Sequence, residues 1–469
     1  MAIIDSTSRT AGARRPSFLL LLLLLLLLAA PLAAVAANTA VDVVEEPTFA
    51  RDIAPIFQTK CQSCHQPDSV APMALLTYEQ TRPWARSIKR AVANRRMPPW
   101  HIDKNVGIRH FKNDRSLSDA EIDTIVRWVD NGAPFGDAAD LPEPVEWPDP
   151  RDWQLAAEFG EPDLVIRSLP FTVPAAGQDK WWRPTVDTGL TEPRWVKAIE
   201  IRPSFPDGRK VVHHVLASLI QEEEGVVGLA STAAEDPEEA ADSRRRGAGL
   251  FMEWAVGKVG EVFPDGAGKL MLPDSQIRFE VHYHSIGEEV PDDFVELGVY
   301  FYAKGEEPES RTILHAFQGR SGELDIPPGE IAVSQGFHVL RAPARLENFQ
   351  PHMHMRGKAM SLEAIYPDGR SELINIVEDF NWNWHVNYVY ADEVAPVLPK
   401  GTVLKVTAWH DNTAENPNNP DPEQWVGYGD RTVDEMAHLW VDVTYLEQEQ
   451  YETLVAEREQ KAEKTSDSE

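Results

Sequence analysis

The chain has only two cysteines, and both lie in the short run "CQSCH" at residues 61–65. A Cys-x-x-Cys-His run is the attachment pattern of c-type haem, in which both thiols bond to the porphyrin and the histidine takes one axial position on the iron. With Cys61 and Cys64 committed to haem, no disulfide can stabilise the fold. Buried apolar cores must do so instead, and the 42% hydrophobic content is adequate for them.

We therefore expect one covalently bound haem c, attached to Cys61 and Cys64 and ligated by His65. A structural zinc site would need a second Cys/His pair nearby, which the surrounding sequence lacks. The distal ligand is predicted to be Met97, in "RRMPPWH", because a thioether there would suit an electron relay. Met73 and His101 are the alternatives.

The first 37 residues have the features of an export signal. Arg14 and Arg15 precede a leucine-rich apolar run, and small residues follow, which suits cleavage near Ala36 or Ala37. The apolar run is shorter than the roughly 20 residues needed to span a bilayer, so we expect a periplasmic or secreted protein with no stable membrane anchor. A formal charge of −30 argues against nucleic acid as a partner.

The rest of the chain shows two sequence patterns, one helical and one typical of β-strands. The segment "SLSDAEIDTIVRWVDNGAP" predicts an amphipathic helix, with Ser118 as N-cap, Glu121 completing a capping box and Gly132 ending it. The surrounding residues 46–136 are similar to small cytochrome c domains. Beyond Leu164, short alternating or β-branched runs separated by Pro-Asp-Gly turns predict an all-β region.

Three histidine pairs stand in the β region. They are His213 with His214, His282 with His284, and His352 with His354. A strand puts residues two apart on one face, so His352 and His354 can bind one metal ion. Adjacent histidines point to opposite faces of a regular strand, so His213 and His214 can share a metal only where the strand bulges or ends.

These pairs lie in the motifs "VVHHVLAS", "EVHYHSIG" and "QPHMHMRGKAM", which are followed by "GYGDRTVDEMAHLWVDVTY". From about Trp153 to Leu446 the chain resembles the copper type II, ascorbate-dependent monooxygenases, the family of peptidylglycine α-hydroxylating monooxygenase and dopamine β-monooxygenase. The resemblance implies two mononuclear coppers per chain on two packed sandwiches facing a solvent cleft. The ligand sets it implies are His213, His214 and His282 for the electron-storing copper, with His284 as the alternative third ligand, and His352, His354 and Met436 for the oxygen-binding copper.

The resemblance further implies that one atom of O2 is inserted into a C–H bond of a small organic substrate. The two electrons consumed would come singly from an external donor, an ascorbate-like reductant or a redox protein, and the fused haem would deliver them. Met436 as a soft ligand favours Cu(I) over zinc. Strand alternation puts His438 on the same face as Met436, where it would support the metal ligands.

The chain also departs from the family. Gln350 stands where the peptide-amidating members have an arginine that grips the substrate carboxylate, so peptide amidation is not expected. Trp440 replaces a tyrosine on the substrate side, which favours an aromatic or hydrophobic substrate unless it simply packs in the core. The segment "FNWNWHVNYVY" is interpreted as aromatic packing that substitutes for the disulfides of the animal enzymes.

The predicted fold class is multidomain, with a small all-α cytochrome c domain followed by two all-β, jelly-roll-like sandwiches. The expected boundaries are a signal peptide at 1–37, the haem domain at 46–136, a Pro-rich acidic linker at 137–153, the two sandwiches at 154–304 and 305–448, and a polar tail at 449–469. A competing hypothesis is a non-catalytic copper-binding or electron-transfer protein. A zinc hydrolase using His213, His214 and His282 is a third, but it lacks an obvious glutamate base and leaves the haem unexplained.

Overall fold

Strands dominate the fold. The computed structural model describes residues 45–221, 249–320 and 322–466, so the predicted signal peptide lies outside the described residues. In those ranges, no helix is both long enough and apolar enough to cross a lipid bilayer. The α-helices are α1 (Ala54–Lys60), α2 (Tyr78–Thr81), α3 (Ala85–Ala93), α4 (Asp119–Asp130), α5 (Ala156–Phe159), α6 (Gly208–Val211) and α7 (Gln448–Ser466). A π-helical turn covers Phe49–Ile53, and 3-10 turns cover Arg82–Trp84 and Ala138–Asp140.

The strands begin after the Pro-rich segment and continue almost to the last helix. They are β1 (Leu164–Arg167), β2 (Phe171–Val173), β3 (Lys180–Trp182), β4 (Thr185–Asp187), β5 (Arg194–Pro203), β6 (Val212–Ile220), β7 (Gly249–Ala255), β8 (Gly260–Val262), β9 (Ala267–Met271), β10 (Gln276–Tyr283), β11 (Val290–Asp293), β12 (Val295–Phe301), β13 (Ser310–Gln318), β14 (Asp325–Ile326), β15 (Ile331–Val339), β16 (Ala344–Leu346), β17 (Asn348–His352), β18 (Gly357–Ile365), β19 (Ser371–Val377), β20 (Tyr388–Val389), β21 (Val397–Leu398), β22 (Val403–Asp411), β23 (Val426–Gly427) and β24 (His438–Tyr445).

Three sheets matter for the site. An 11-stranded sheet runs in the order β1-β12-β5-β9-β13-β24-β16-β21, with β8, β17 and β20 attached to it. A second sheet orders β3-β10-β6-β7, with β4 paired to β10, and a third orders β15-β22-β18-β19. Inward-facing apolar residues of these sheets form two large cores, one in each half of the β region. A smaller core of helical residues surrounds Ile53, Ile125 and Trp128.

Helix α4 confirms the helix predicted from its capping residues. The Ser118 hydroxyl accepts a hydrogen bond from the Glu121 N–H, and the Glu121 carboxylate accepts one from the Ser118 N–H. This reciprocal pair satisfies two backbone donors that a helix start otherwise leaves unpaired.

The predicted fold class is wrong, because the described part of the chain contains no distinct all-α cytochrome c domain ahead of two separate sandwiches. Pro47–Glu469 forms one compact unit. The helices before residue 131 are short, and the chain between α3 and α4 is extended and joins the β region. Ile102 bridges to Val377, Phe111 bridges to Tyr390, and the Ile108 N–H donates to the Ile374 carbonyl.

Two physical causes underlie this difference from the predicted fold. Trp100, Ile102 and Phe111 pack against the core of the C-terminal strands, so burial of their apolar surface draws the extended segment onto that core. The two halves of the β region also share one sheet, since β9 of the first half pairs in parallel with β13 of the second. Neither association is visible in a local sequence pattern.

A buried network of charges joins the two halves. The Lys269 ammonium on β9 lies 3.1 Å from the Glu261 carboxylate and 2.9 Å from that of Asp442 on β24. Lys258 lies 2.6 Å from Glu261 and 3.4 Å from Glu253. The side chains of this network are at most 7% exposed. Buried charges of this kind are tolerated only while each keeps its partner.

Replacement of Lys269 by methionine should therefore leave Asp442 without its cationic partner, while Glu261 keeps only Lys258. We expect Lys269→Met to lower the free energy of unfolding by about 3–5 kcal/mol, measured as a shift of the urea midpoint. The matched control is Lys304→Met, which removes an exposed ion pair with Glu192 and should leave the midpoint unchanged. An equal, small shift in both variants would contradict the stabilising role of the network.

A buried carboxyl anchors the residues that directly follow the Pro-rich segment to the sheet. Glu200 on β5 accepts hydrogen bonds from the N–H groups of Gln154 and Leu155, at 2.9 and 3.0 Å. Burial raises the pKa of Glu200 from 4.5 to about 7, and the two backbone N–H groups oppose that shift. Folding therefore favours the protonated form of this side chain.

This shift predicts a pH dependence with a definite sign. Because the pKa of Glu200 is higher in the folded than in the unfolded state, its contribution to stability is full below about pH 4.5 and is lost as the pH rises through about 7. In Glu200→Gln, the unfolding free energy should fall less steeply with pH between about 5 and 7.5. The loss over this window should be smaller than in the wild type by up to about 3 kcal/mol. Glu158→Gln, on an exposed position of α5, is the control. An unchanged slope in Glu200→Gln would contradict the assignment.

Candidate metal centre

A bulge at the start of β6 brings two adjacent histidines together. His214 pairs with His282 of β10, but the next residue of β10, Tyr283, pairs with Val212, so His213 is an extra residue on β6. The extra residue lets both imidazoles turn to one side, with their Nδ1 atoms 3.1 Å apart. The structure thus has the irregularity that the sequence required for His213 and His214 to share a metal ion.

His282 completes a group of three. Its Nδ1 lies 3.4 Å from Nδ1 of His214, and one ligand atom from each of the three residues lies within 4.8 Å of the others. Nitrogens bound to one tetrahedral metal ion at 2.0–2.1 Å are about 3.3–3.4 Å apart, so the two Nδ1 separations that involve His214 fit a bound metal. His284, the alternative third ligand, is not part of this group.

Burial keeps these rings in the form that binds metals. It lowers the pKa of His213 to about 4, with the neighbouring His282 and His284 adding to the effect. Burial also lowers the pKa of His214 well below its usual value. Metal ions bind neutral imidazole, so neither ring has to lose a proton near neutral pH before it can act as a ligand.

A carboxylate and an indole orient His282. The Trp181 ring stacks on the imidazole at 4.7 Å with 3° between the planes, and Asp179 Oδ2 lies 3.3 Å from His282 Nε2. The Thr432 hydroxyl holds the same carboxylate oxygen at 3.0 Å. A carboxylate behind the second nitrogen of a metal-binding histidine fixes the ring orientation and strengthens the ligand.

Two residues of the second predicted ligand set, His352 and His354, lie beside the first set. His352 ends β17 opposite His438, and its ring centre is 5.4 Å from that of His354 and 5.8 Å from that of His214. His354 Nδ1 lies 3.0 Å from the Asp434 carbonyl, an arrangement that leaves Nε2 to act as a ligand.

Met436 is held in the segment that His354 contacts. The His354 N–H donates to the carboxylate of the neighbouring Glu435 at 2.9 Å. Met436 itself is buried, and its carbonyl lies 3.0 Å from Nε2 of His410. His438, predicted to support the metal ligands, lies 6.1 Å from His352 between ring centres.

His385 is a member of the cluster that the sequence did not reveal. Its Nδ1 lies 3.1 Å from Nδ1 of His352, and its ring centre is 6.1 Å from those of His213 and His214. It stands alone in the aromatic run "FNWNWHVNYVY", where no second histidine supplies a spacing signal. The interpretation of that run as aromatic packing concealed this residue.

Two positions where the sequence differs from the copper monooxygenases that it resembles have packing roles. Gln350 is buried, and its side-chain amide donates to Glu253 at 2.5 Å and to the His385 carbonyl at 3.3 Å. Trp440 is 2% exposed and stacks on His352 at 4.3 Å. Gln350 thus links the charge network to the histidine cluster, and Trp440 orients a predicted ligand.

The predicted haem attachment residues surround a separate cavity. Cys61 and Cys64 are free thiols. Nδ1 of His65 lies 3.0 Å from the Met73 carbonyl, so Nε2 is available as an axial ligand to a haem iron. The cavity has a volume of 430 Å³. Its lining is mainly apolar and includes both cysteines, His65, Met97, Met73 and Trp384, whereas His101 does not line it. The residues present therefore fit a covalently attached haem, and both Met97 and Met73 line the cavity as candidate distal ligands.

No family model matches the sequence, and no curated protein matches it. The major capsid protein P2 of bacteriophage PM2 is 12% identical, covers 61% of this chain and 97% of its own, and has a TM-score of 0.28. PNGF-II is 7% identical over 61% of this chain and 66% of its own, with a TM-score of 0.26. VP2 of infectious bursal disease virus is 11% identical over 64% of this chain and 74% of its own, with a TM-score of 0.18. Likenesses at this level do not establish a shared function.

The contact between Asp179 and His282 yields a prediction. Asp179→Asn removes the negative charge behind His282 Nε2, so the affinity of the three-histidine site for copper should fall by about 10–100-fold. Competition titration with a chelator measures this affinity. Asp187→Asn is the control, because Asp187 contacts Gln276 on the same sheet and no histidine. Equal affinities in the two variants would show that Asp179 does not act on the ligand.

Proposed function

We propose that the chain is an exported, copper-dependent monooxygenase that inserts one atom of O2 into a C–H bond of a small organic substrate. The observation that carries the proposal is the group of His213, His214 and His282, whose ligand atoms lie within 4.8 Å of one another. This group lies beside His352 and His354, in the motif order of the copper monooxygenases. An ascorbate-like reductant or a redox protein would act as the external one-electron donor.

Copper bound at the two ligand sets would supply one-electron storage and activation of O2. The residues' own part is to present neutral imidazoles in fixed orientations. Trp181 stacks on His282 and Trp440 stacks on His352. The thioether of Met436 favours Cu(I) over zinc at the second set.

The position of the haem cavity supports a built-in electron donor. A haem attached to Cys61 and Cys64 would supply single electrons there. Trp384 borders that cavity, and the next residue is His385, whose ring centre is 4.4 Å from that of His352. One peptide bond therefore connects the wall of the cavity to the histidine cluster.

A non-catalytic copper-binding or electron-transfer protein is the second candidate. The observation that favours it is the burial of the cluster, since His214 is 3% and His352 1% exposed. A buried metal limits access of a substrate but not of electrons. Oxygen consumption that depends on copper separates the two functions.

The decisive variant is Met436→Leu, which keeps the volume of the side chain and removes its sulfur. We expect copper-dependent oxygen consumption with ascorbate to fall at least about 100-fold while the haem spectrum stays intact. Met360→Leu, in the C-terminal core, is the matched control and should retain the activity. His65→Ala should lose the haem spectrum and keep its copper.

Full copper-dependent turnover in Met436→Leu would remove Met436 from the oxygen site. If the wild-type protein binds copper but shows no copper-dependent oxygen consumption with any small organic substrate tested, the electron-transfer function replaces the monooxygenase.

A further inference from the structure

His385 lies inside the histidine cluster, although the copper monooxygenase motifs give it no role. We propose that His385 is a copper ligand that acts together with His352, and that the two copper ions form one dinuclear centre. This deepens the proposed function and rests on its copper binding.

The positions of the imidazole nitrogens support the role of His385 as a ligand. Nδ1 of His385 lies 3.1 Å from Nδ1 of His352. Within the three-histidine group, the corresponding Nδ1 distances are 3.1 Å and 3.4 Å. The pair of His352 and His385 therefore has the separation expected of two ligands on one metal ion.

Two contacts restrain His385, one at its ring and one at its backbone. Phe380 stacks parallel to it, at 6.2 Å with 20° between the planes. Gln350 donates to the His385 carbonyl at 3.3 Å and to Glu253 at 2.5 Å, which ties the backbone of His385 to the buried charge network. A ligand restrained in this way binds metal with little loss of side-chain entropy.

The short distance between the two ligand sets supports a dinuclear centre. Ring centres within the three-histidine group are 4.8–5.3 Å apart. Between the sets, His214 lies 5.8 Å from His352, and His213 lies 6.1 Å from His385. Neighbours in different sets are thus only slightly farther apart than neighbours in one set. Two ions held by these rings would be adjacent and not separated by a solvent cleft, as the family resemblance implied.

The experiment is a copper count and an EPR spectrum of the full-length, oxidised protein loaded with Cu(II). The wild type should bind two copper ions per chain. Coupling between two adjacent Cu(II) spins should reduce the integrated EPR intensity to less than half of the copper content. In His385→Ala, one copper should be lost to a chelator at least about 10-fold more easily, and the remaining copper should give a full-intensity, uncoupled signal.

His338→Ala is the control, because it removes a buried imidazole that contacts the Gln318 carbonyl and lies outside the cluster. It should keep both coppers and their coupling. His385→Phe fills the same space without a ligand atom, and it replaces the alanine variant if that variant does not fold. The EPR spectrum of the wild type tests the coupling between the two coppers without any variant.

Two uncoupled, full-intensity Cu(II) signals in the wild type would overturn the dinuclear centre. Unchanged copper affinity in both His385 variants would overturn the ligand role and reduce the contact of His385 with His352 to a hydrogen bond. Either result leaves the proposed monooxygenase standing. Absence of copper binding by the wild type would overturn the proposed function as well.

Discussion

Buried imidazole nitrogens that face one another are the constraint on which the site depends. His214 and His352 are almost fully buried, and a buried ring nitrogen without a partner is costly. Here the Nδ1 atoms of His213, His214 and His282 point at one another, and those of His352 and His385 form a second such contact. Neutral imidazoles carry one proton each, so a bound cation satisfies several lone pairs at once.

The scaffold explains how rings from distant parts of the chain come together. The bulge at His213 turns two neighbours to one side, and the pairing of β17 with β24 places His352 opposite His438. The parallel pair of β9 and β13 and the ion network around Lys269 hold the two halves in fixed relation. A change in that relation would separate the two histidine groups, so the stability of the junction and the geometry of the centre are coupled.

Local patterns in the sequence predicted local structure well. The capping residues Ser118 and Glu121 predicted helix α4, and the adjacent histidines at 213 and 214 predicted that β6 must bulge or end there. The fold class could not be derived in this way, because the burial of Trp100 and Phe111 against distant strands leaves no periodic signal. His385 was missed for a related reason, since its partner His352 is 33 residues away. Contacts over such separations depend on strand register, which one sequence does not specify.

The most direct test of the central claim is rapid mixing of the anaerobically reduced, haem-loaded protein with O2, with the haem absorbance followed in copper-loaded and copper-stripped samples. The proposed electron path from the haem by way of Trp384 and His385 to the histidine cluster predicts fast reoxidation of the haem only when copper is present. Equally slow reoxidation in both samples would contradict it and show that the haem does not feed the copper centre.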